Sequence, residues 1–159
     1  SFSSAMNSNQ FEQLEGAGLR IAVIGARFNQ VLCDSMVDDA CAALEYCNVA
    51  REDIQVIRVP GSFELPVAAS RIAKTKEYDA IICLGVLLKG ETKHDAYIAS
   101  AVAQGLTSIS VETGIPVAFG VLTADTREQA EARALGVQKK GWEAAMSAVE
   151  AALALRLDA

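Results

Sequence analysis

Residues able to move protons or hold anions gather at a few points of this chain, and one of them is unique. His94 is the single histidine in 159 residues, within Lys89-Gly90-Glu91-Thr92-Lys93-His94-Asp95. Thr92 and Asp95 have the spacing of a helix capping box, and Gly90 lets the backbone approach a ligand closely. A helix start with its unpaired N–H groups and a threonine hydroxyl binds an oxyanion such as phosphate. A histidine in that first turn is a candidate general acid/base, since imidazole titrates near neutrality. The alternative is a structural or merely exposed ring.

Two aromatic residues stand at corresponding places. Phe28 lies in Ala26-Arg27-Phe28-Asn29, where Asn29 is a candidate N-cap. Phe28 is then either a hydrophobic staple or an exposed ring on which a planar ligand stacks. Phe63 lies in Val59-Pro60-Gly61-Ser62-Phe63-Glu64-Leu65-Pro66, where Pro-Gly signals a turn, Ser62 a helix cap and Glu64 a dipole-compensating first-turn acid. Further on, Phe119 precedes Thr123-Ala124-Asp125, with Asp125 and Glu128 as a capping pair. Arg133 and Lys140 follow as cations. They are either solvated surface charges or a phosphate grip, for which the arginine fork is suited.

Composition narrows the chemistry. Lys and Arg number 14 against 20 Asp and Glu, a formal charge of −6, which argues against a nucleic-acid or anionic-membrane binder. One histidine and four cysteines (Cys33, Cys41, Cys47, Cys83) without a C-x-x-C pair argue against a His/Cys metal site. The cysteines read as small buried hydrophobes in a reducing compartment. That is the cytoplasm, or a plastid after loss of a transit peptide. Hydrophobic residues make up 52% and mean hydropathy is +0.25, yet the longest run without a polar side chain is Ala80 to Leu88. A membrane-spanning helix needs roughly 20 such residues. The apolar excess is therefore expected to be hidden by self-association.

The elements that must position these residues alternate regularly. Residues 1–18 are polar and aperiodic, a flexible arm or an edge strand. The absence of an initiating Met reads as a processed or engineered start, and the segment lacks a signal peptide's apolar core. Residues 19–159 form one domain. Strands are predicted over 19–25, 53–60, 79–88 and 116–123, and helices over 31–47, 64–74, 94–112, 126–133 and 142–157. Apolar strands alternating with helices imply a parallel sheet covered on both faces. The expected architecture is a three-layer, flavodoxin-like α/β fold, with a four-stranded parallel sheet of order 2-1-3-4. Ligands of such folds bind at the carboxyl ends of the strands, where the turns carrying Phe28, Phe63 and His94 follow the first, second and third strands.

Taken in order, five segments resemble the 6,7-dimethyl-8-ribityllumazine synthase family: Arg27-Phe28-Asn29, the stretch from Val59 to Pro66, that from Gly85 to His94, Phe119-Gly120-Val121-Leu122-Thr123, and Lys140-Gly141-Trp142-Glu143-Ala144-Ala145. The resemblance implies condensation of 5-amino-6-(ribitylamino)uracil with 3,4-dihydroxy-2-butanone 4-phosphate, with loss of phosphate and water and with no metal or organic cofactor. It implies that Phe28 stacks on the uracil, and that Ser62, Phe63, Glu64, Val86, Leu87 and Leu88 hold the uracil and ribityl chain. Glu91 and Thr92 would bind the phosphate-bearing substrate, His94 transfer protons, and Arg133 and Lys140 face the phosphate. Phe119 would come from the neighbouring subunit of a pentamer, twelve of which close into a sixty-subunit shell in many members.

The chain departs from the family pattern at Lys89, which replaces an arginine, at Asp95-Ala96, and in a shortened stretch before Lys140. A non-catalytic flavin- or ribityl-binding module, or a shell-forming paralogue, is the alternative reading.

Overall fold

The structure, a computed structural model, describes residues 14–90, 94–136 and 138–156. Four strands, β1 (Ile21–Ala26), β2 (Ile54–Val59), β3 (Ala80–Leu88) and β4 (Val117–Ala124), form one parallel sheet of order β2-β1-β3-β4. This is the expected order. Every residue of β1 and β3 is buried, because both are central strands with helices on either side, where continuous apolar runs are required. β2 and β4 are the edges, and their burial is interrupted.

Among the described residues five α-helices complete the layers: α1 (Gln30–Tyr46), α2 (Leu65–Lys74), α3 (Asp95–Thr113), α4 (Arg127–Leu135) and α5 (Lys140–Ala154). α1, α4 and α5 pack together on one face of the sheet, and α2 pairs with α3 on the other. α5 comes very close to α1: a Cβ on Gly141 would collide with the backbone of Met36. Trp142 sets its ring 5.5 Å from that of Tyr46 on α1. Residues 14–18 are tied to the end of α1, with Gly16 N donating to Cys47 O at 2.6 Å. Residues 1–13 lie outside the described residues.

Asn29 holds the expected N-cap position of α1, whereas the other helix starts differ from expectation. Asn29 occupies the N-cap position of α1 in a left-handed conformation (φ 62°) and makes no side-chain cap bond. Its amide is drawn across to β3, donating to Val86 O at 3.1 Å. Ser62 does not cap α2; it is buried in a short 3-10 turn over Ser62–Glu64 that precedes the helix. The cap of α4 is Thr126, not Asp125: its Oγ1 accepts from Gln129 N at 3.2 Å, and the Gln129 side chain accepts from Asp125 N at 2.9 Å. α3 begins at Asp95 with His94 at its N-cap, later than a box capped by Thr92 would require. Thr92 lies outside the described residues.

All four cysteines are free thiols, with Cys33, Cys47 and Cys83 buried, as expected of small apolar side chains. Among the described residues no helix is long and apolar enough to cross a membrane. Several large apolar side chains face outward instead, among them Val31, Val67, Tyr97 and Val111, each 60–77% exposed.

Candidate functional site

The loop after β1 continues the sheet's hydrogen bonding beyond the strand. Arg27 N donates to Val59 O at 2.8 Å and Phe28 N to Pro60 O at 3.0 Å. With its backbone held to the Pro60 turn, the Phe28 ring remains 52% exposed, an arrangement suited to stacking rather than to a buried staple. Opposite it, the Pro60-Gly61 turn is closed by Glu64, whose Oε1 accepts from Gly61 N at 2.8 Å and whose N–H donates to Gly61 O at 3.2 Å. This closure leaves Phe63 58% exposed. Ser62 points inward, against Gly85 of β3, where a Cβ would overlap the serine hydroxyl.

Between these turns and the end of β3 lies a cavity of about 130 Å³, lined by Phe28, the Gly61–Glu64 turn, Val86, Leu87, Leu88, Asp95 and Ile98. Seven residues that the resemblance assigns to the uracil and ribityl chain meet here: Phe28, Ser62, Phe63, Glu64, Val86, Leu87 and Leu88. Its described lining carries two carboxylates, Glu64 and Asp95, and no cation. The volume is small beside the roughly 300–1,000 Å³ of ordinary ligand pockets, so this cleft alone accommodates a ring and little more. His94 adjoins it through Asp95.

A second hollow, of about 340 Å³, is lined by Phe119, Arg133 and Lys140 together with Val121, Leu122, Thr123, Gln138 and Glu143. Arg133 is steadied by a bond from Nη1 to Thr123 O at 2.9 Å, and Lys140 Nζ pairs with Glu143 Oε1 at 3.2 Å. The two hollows share no lining residue, and register sets Phe119 back from the cleft. Phe119 pairs with Cys83, whereas Val86 to Leu88 pair with Leu122 to Ala124. Phe119 thus lies three to five residues short of the cleft, about 10–17 Å along the strand at 3.3 Å per residue. Phe119, Arg133 and Lys140 line this second hollow and are absent from the described lining of the Phe28 cleft. Glu91 and Thr92 lie outside the described residues.

The structure adds Asp95 and Ile98 to the cleft and Gln138 and Glu143 to the hollow. Asp95 and Ile98 carry a sequence signal only as a capping partner and as part of a helical stripe. Gln138 carries none.

Fold and site together define a flavodoxin-like α/β protein with a ring-sized cleft at the carboxyl edge of its sheet and a separate cationic hollow. Residues 18–156 match the family model of 6,7-dimethyl-8-ribityllumazine synthase. The chain is 47% identical over 142 residues to the 6,7-dimethyl-8-ribityllumazine synthase of Aquifex aeolicus, covering 88% of this chain and 92% of that one. It is 43% identical over 139 residues to the enzyme of that name from Syntrophus aciditrophicus, covering 87% and 90%. The chain belongs to the 6,7-dimethyl-8-ribityllumazine synthase family.

Proposed function

We propose that the active site is shared between adjacent subunits, the Phe28 cleft of one facing the Arg133 hollow of the next. Family membership makes the chain a transferase of riboflavin biosynthesis that forms the lumazine. In this reading the uracil of 5-amino-6-(ribitylamino)uracil stacks on Phe28. Ser62, Phe63, Glu64 and Val86 to Leu88 hold the uracil and its ribityl chain, with Phe119 reaching in from the neighbour. Glu91 and Thr92 engage 3,4-dihydroxy-2-butanone 4-phosphate, whose phosphate meets Arg133 and Lys140.

The substrate's own amine is the nucleophile, so the protein needs no nucleophilic side chain. Addition to the carbonyl, loss of phosphate and ring closure require orientation and proton transfer. His94 carries the protons. The departing phosphate needs positive potential, and this is the observation on which the shared site rests. The described cleft lining has carboxylates and no cation, while Arg133 and Lys140 line a different hollow. The outward apolar side chains support association, for which we propose a pentamer and, from twelve pentamers, a sixty-subunit shell. The buried free thiols support a reducing compartment such as the cytoplasm.

The test is to mix the protein with both substrates and follow lumazine absorbance together with phosphate release. Equal rates of the two above the spontaneous background are expected. Absence of phosphate release would instead favour a binding module or a purely shell-forming protein. Light scattering distinguishes the pentamer from the shell, which differ about twelvefold in mass.

A further inference from the structure

Arg58 lies near the end of β2, beside the site but outside both hollows. Its side chain crosses β1, donates to two backbone carbonyls and pairs with one carboxylate. Nε donates to Gly25 O at 3.2 Å and Nη2 to Ala26 O at 3.1 Å. Nη1 meets Asp34 Oδ1 of α1 at 2.6 Å, and that oxygen is shielded from solvent. Gly25 and Arg58 are register partners across the β1–β2 pair. A Cβ on Gly25 would stand 3.1 Å from Arg58 Nε and 2.6 Å from Val37 Cγ2 of α1. The missing side chain is what lets the guanidinium lie flat over the strand.

The two carbonyls it holds belong to the last two residues of β1, and Arg27 and Phe28 follow directly. The same short loop is gripped from its other sides. Phe28 N donates to Pro60 O at 3.0 Å, Phe28 O accepts from Cys33 Sγ at 3.3 Å, and Asn29 reaches Val86 O at 3.1 Å. A planar fork that donates to two backbone carbonyls and is ion-paired with Asp34 holds the chain in a way that a lysine's point charge does not reproduce. We propose that Arg58 is a positioning residue for the reaction, bracing the end of β1 between β2 and α1 so that the Phe28 ring is held at stacking height over the cleft. The proposal rests on Phe28 as the stacking platform.

The experiment is a double-mutant cycle on the full-length oligomer with Phe28→Ala and Arg58→Met, reading KM for each substrate and the quenching of lumazine fluorescence on binding. Arg58→Met is expected to raise KM for the pyrimidine about tenfold, the scale of a lost charge-assisted bond. KM for the phosphate-bearing ketone stays within about twofold, because its anchors lie elsewhere. In the Phe28→Ala background the same change adds less than about twofold, since the platform it positions is gone. Arg58→Lys, which keeps the charge toward Asp34, carries the test if Arg58→Met does not fold, and gives a smaller rise confined to the pyrimidine. Equal shifts of both KM values, or effects that multiply independently in the cycle, would overturn the proposal. A Phe28→Ala effect without an Arg58 effect removes the positioning role alone. No effect of Phe28→Ala on pyrimidine KM or lumazine quenching removes the stacking platform and the positioning role with it.

Discussion

The Ser62 side chain rests on the bare backbone of Gly85: a Cβ at Gly85 would overlap the serine hydroxyl. This contact seats the turn carrying Phe63 and Glu64 against the end of β3 and so sets the depth of the cleft. Gly85→Ala forces the turn outward. Overpacking of this kind costs about 1–3 kcal/mol, so denaturant unfolding is expected to show a loss in that range. A higher KM for the pyrimidine accompanies it. A variant with native stability and KM would mean that the turn is not seated by this contact.

His94 stands at the N-cap of α3, next to Asp95 of the cleft lining, and the proposal gives it proton transfer. A positioned acid/base contributes roughly 10²–10⁴-fold, and the rest of the site still orients the substrates, so His94→Ala is expected to slow turnover severalfold to about a few hundredfold. Some activity persists because orientation remains. Steady-state kcat at fixed pH measures this, and an unchanged kcat would remove the role.

Arg133 is expected to matter more. Removing a charge-stabilising donor from a transition state typically costs about 10²–10³ in kcat, and the Arg133 guanidinium is already aimed by its bond to Thr123 O at 2.9 Å. Arg133→Ala should therefore fall below His94→Ala in turnover. Wild-type turnover in Arg133→Ala would take the phosphate away from this residue.

How much of this was legible in the sequence follows from the range of the forces involved. β1 and β3 were plain because a central parallel strand must be apolar throughout, and IAVIGA and AIICLGVLL are. The sheet order followed from chain connectivity. Asn29 stands at its expected cap position, but there and at Ser62 tertiary partners outbid the local capping bond. The Asn29 amide bonds Val86 across the sheet, and the Ser62 side chain fills the space above Gly85. Phe28, Phe63 and the end of β3 were legible because turns place them at one edge. That Phe119 is out of reach of its own cleft is visible only in the register of β3 with β4. The Arg58 brace depends likewise on the register of Gly25 with Arg58.

The buried thiols make stability fall at alkaline pH. Burial pushes Cys83 up to about 12 and Cys33 up to about 11, from an ordinary value of 9.0. The folded chain therefore keeps these protons where the unfolded chain has released them. Their contribution is full below pH 9.0 and is lost progressively as the pH rises toward 11 and 12. Unfolding midpoints measured across that range should decline, and the Cys33→Ala/Cys83→Ala double variant should decline less steeply. Identical slopes would show that the thiols are not the cause.

The shared site is the central claim, and complementation between variants addresses it directly. Co-expression of His94→Ala and Arg133→Ala subunits yields mixed oligomers in which, for random assembly around a ring, about a quarter of the interfaces join an intact cleft to an intact cationic hollow. Lumazine formation by the purified mixture should then rise well above the mean of the two parent variants, toward a quarter of the wild-type rate. Activity no greater than that mean would contradict the account and place the whole site within one chain.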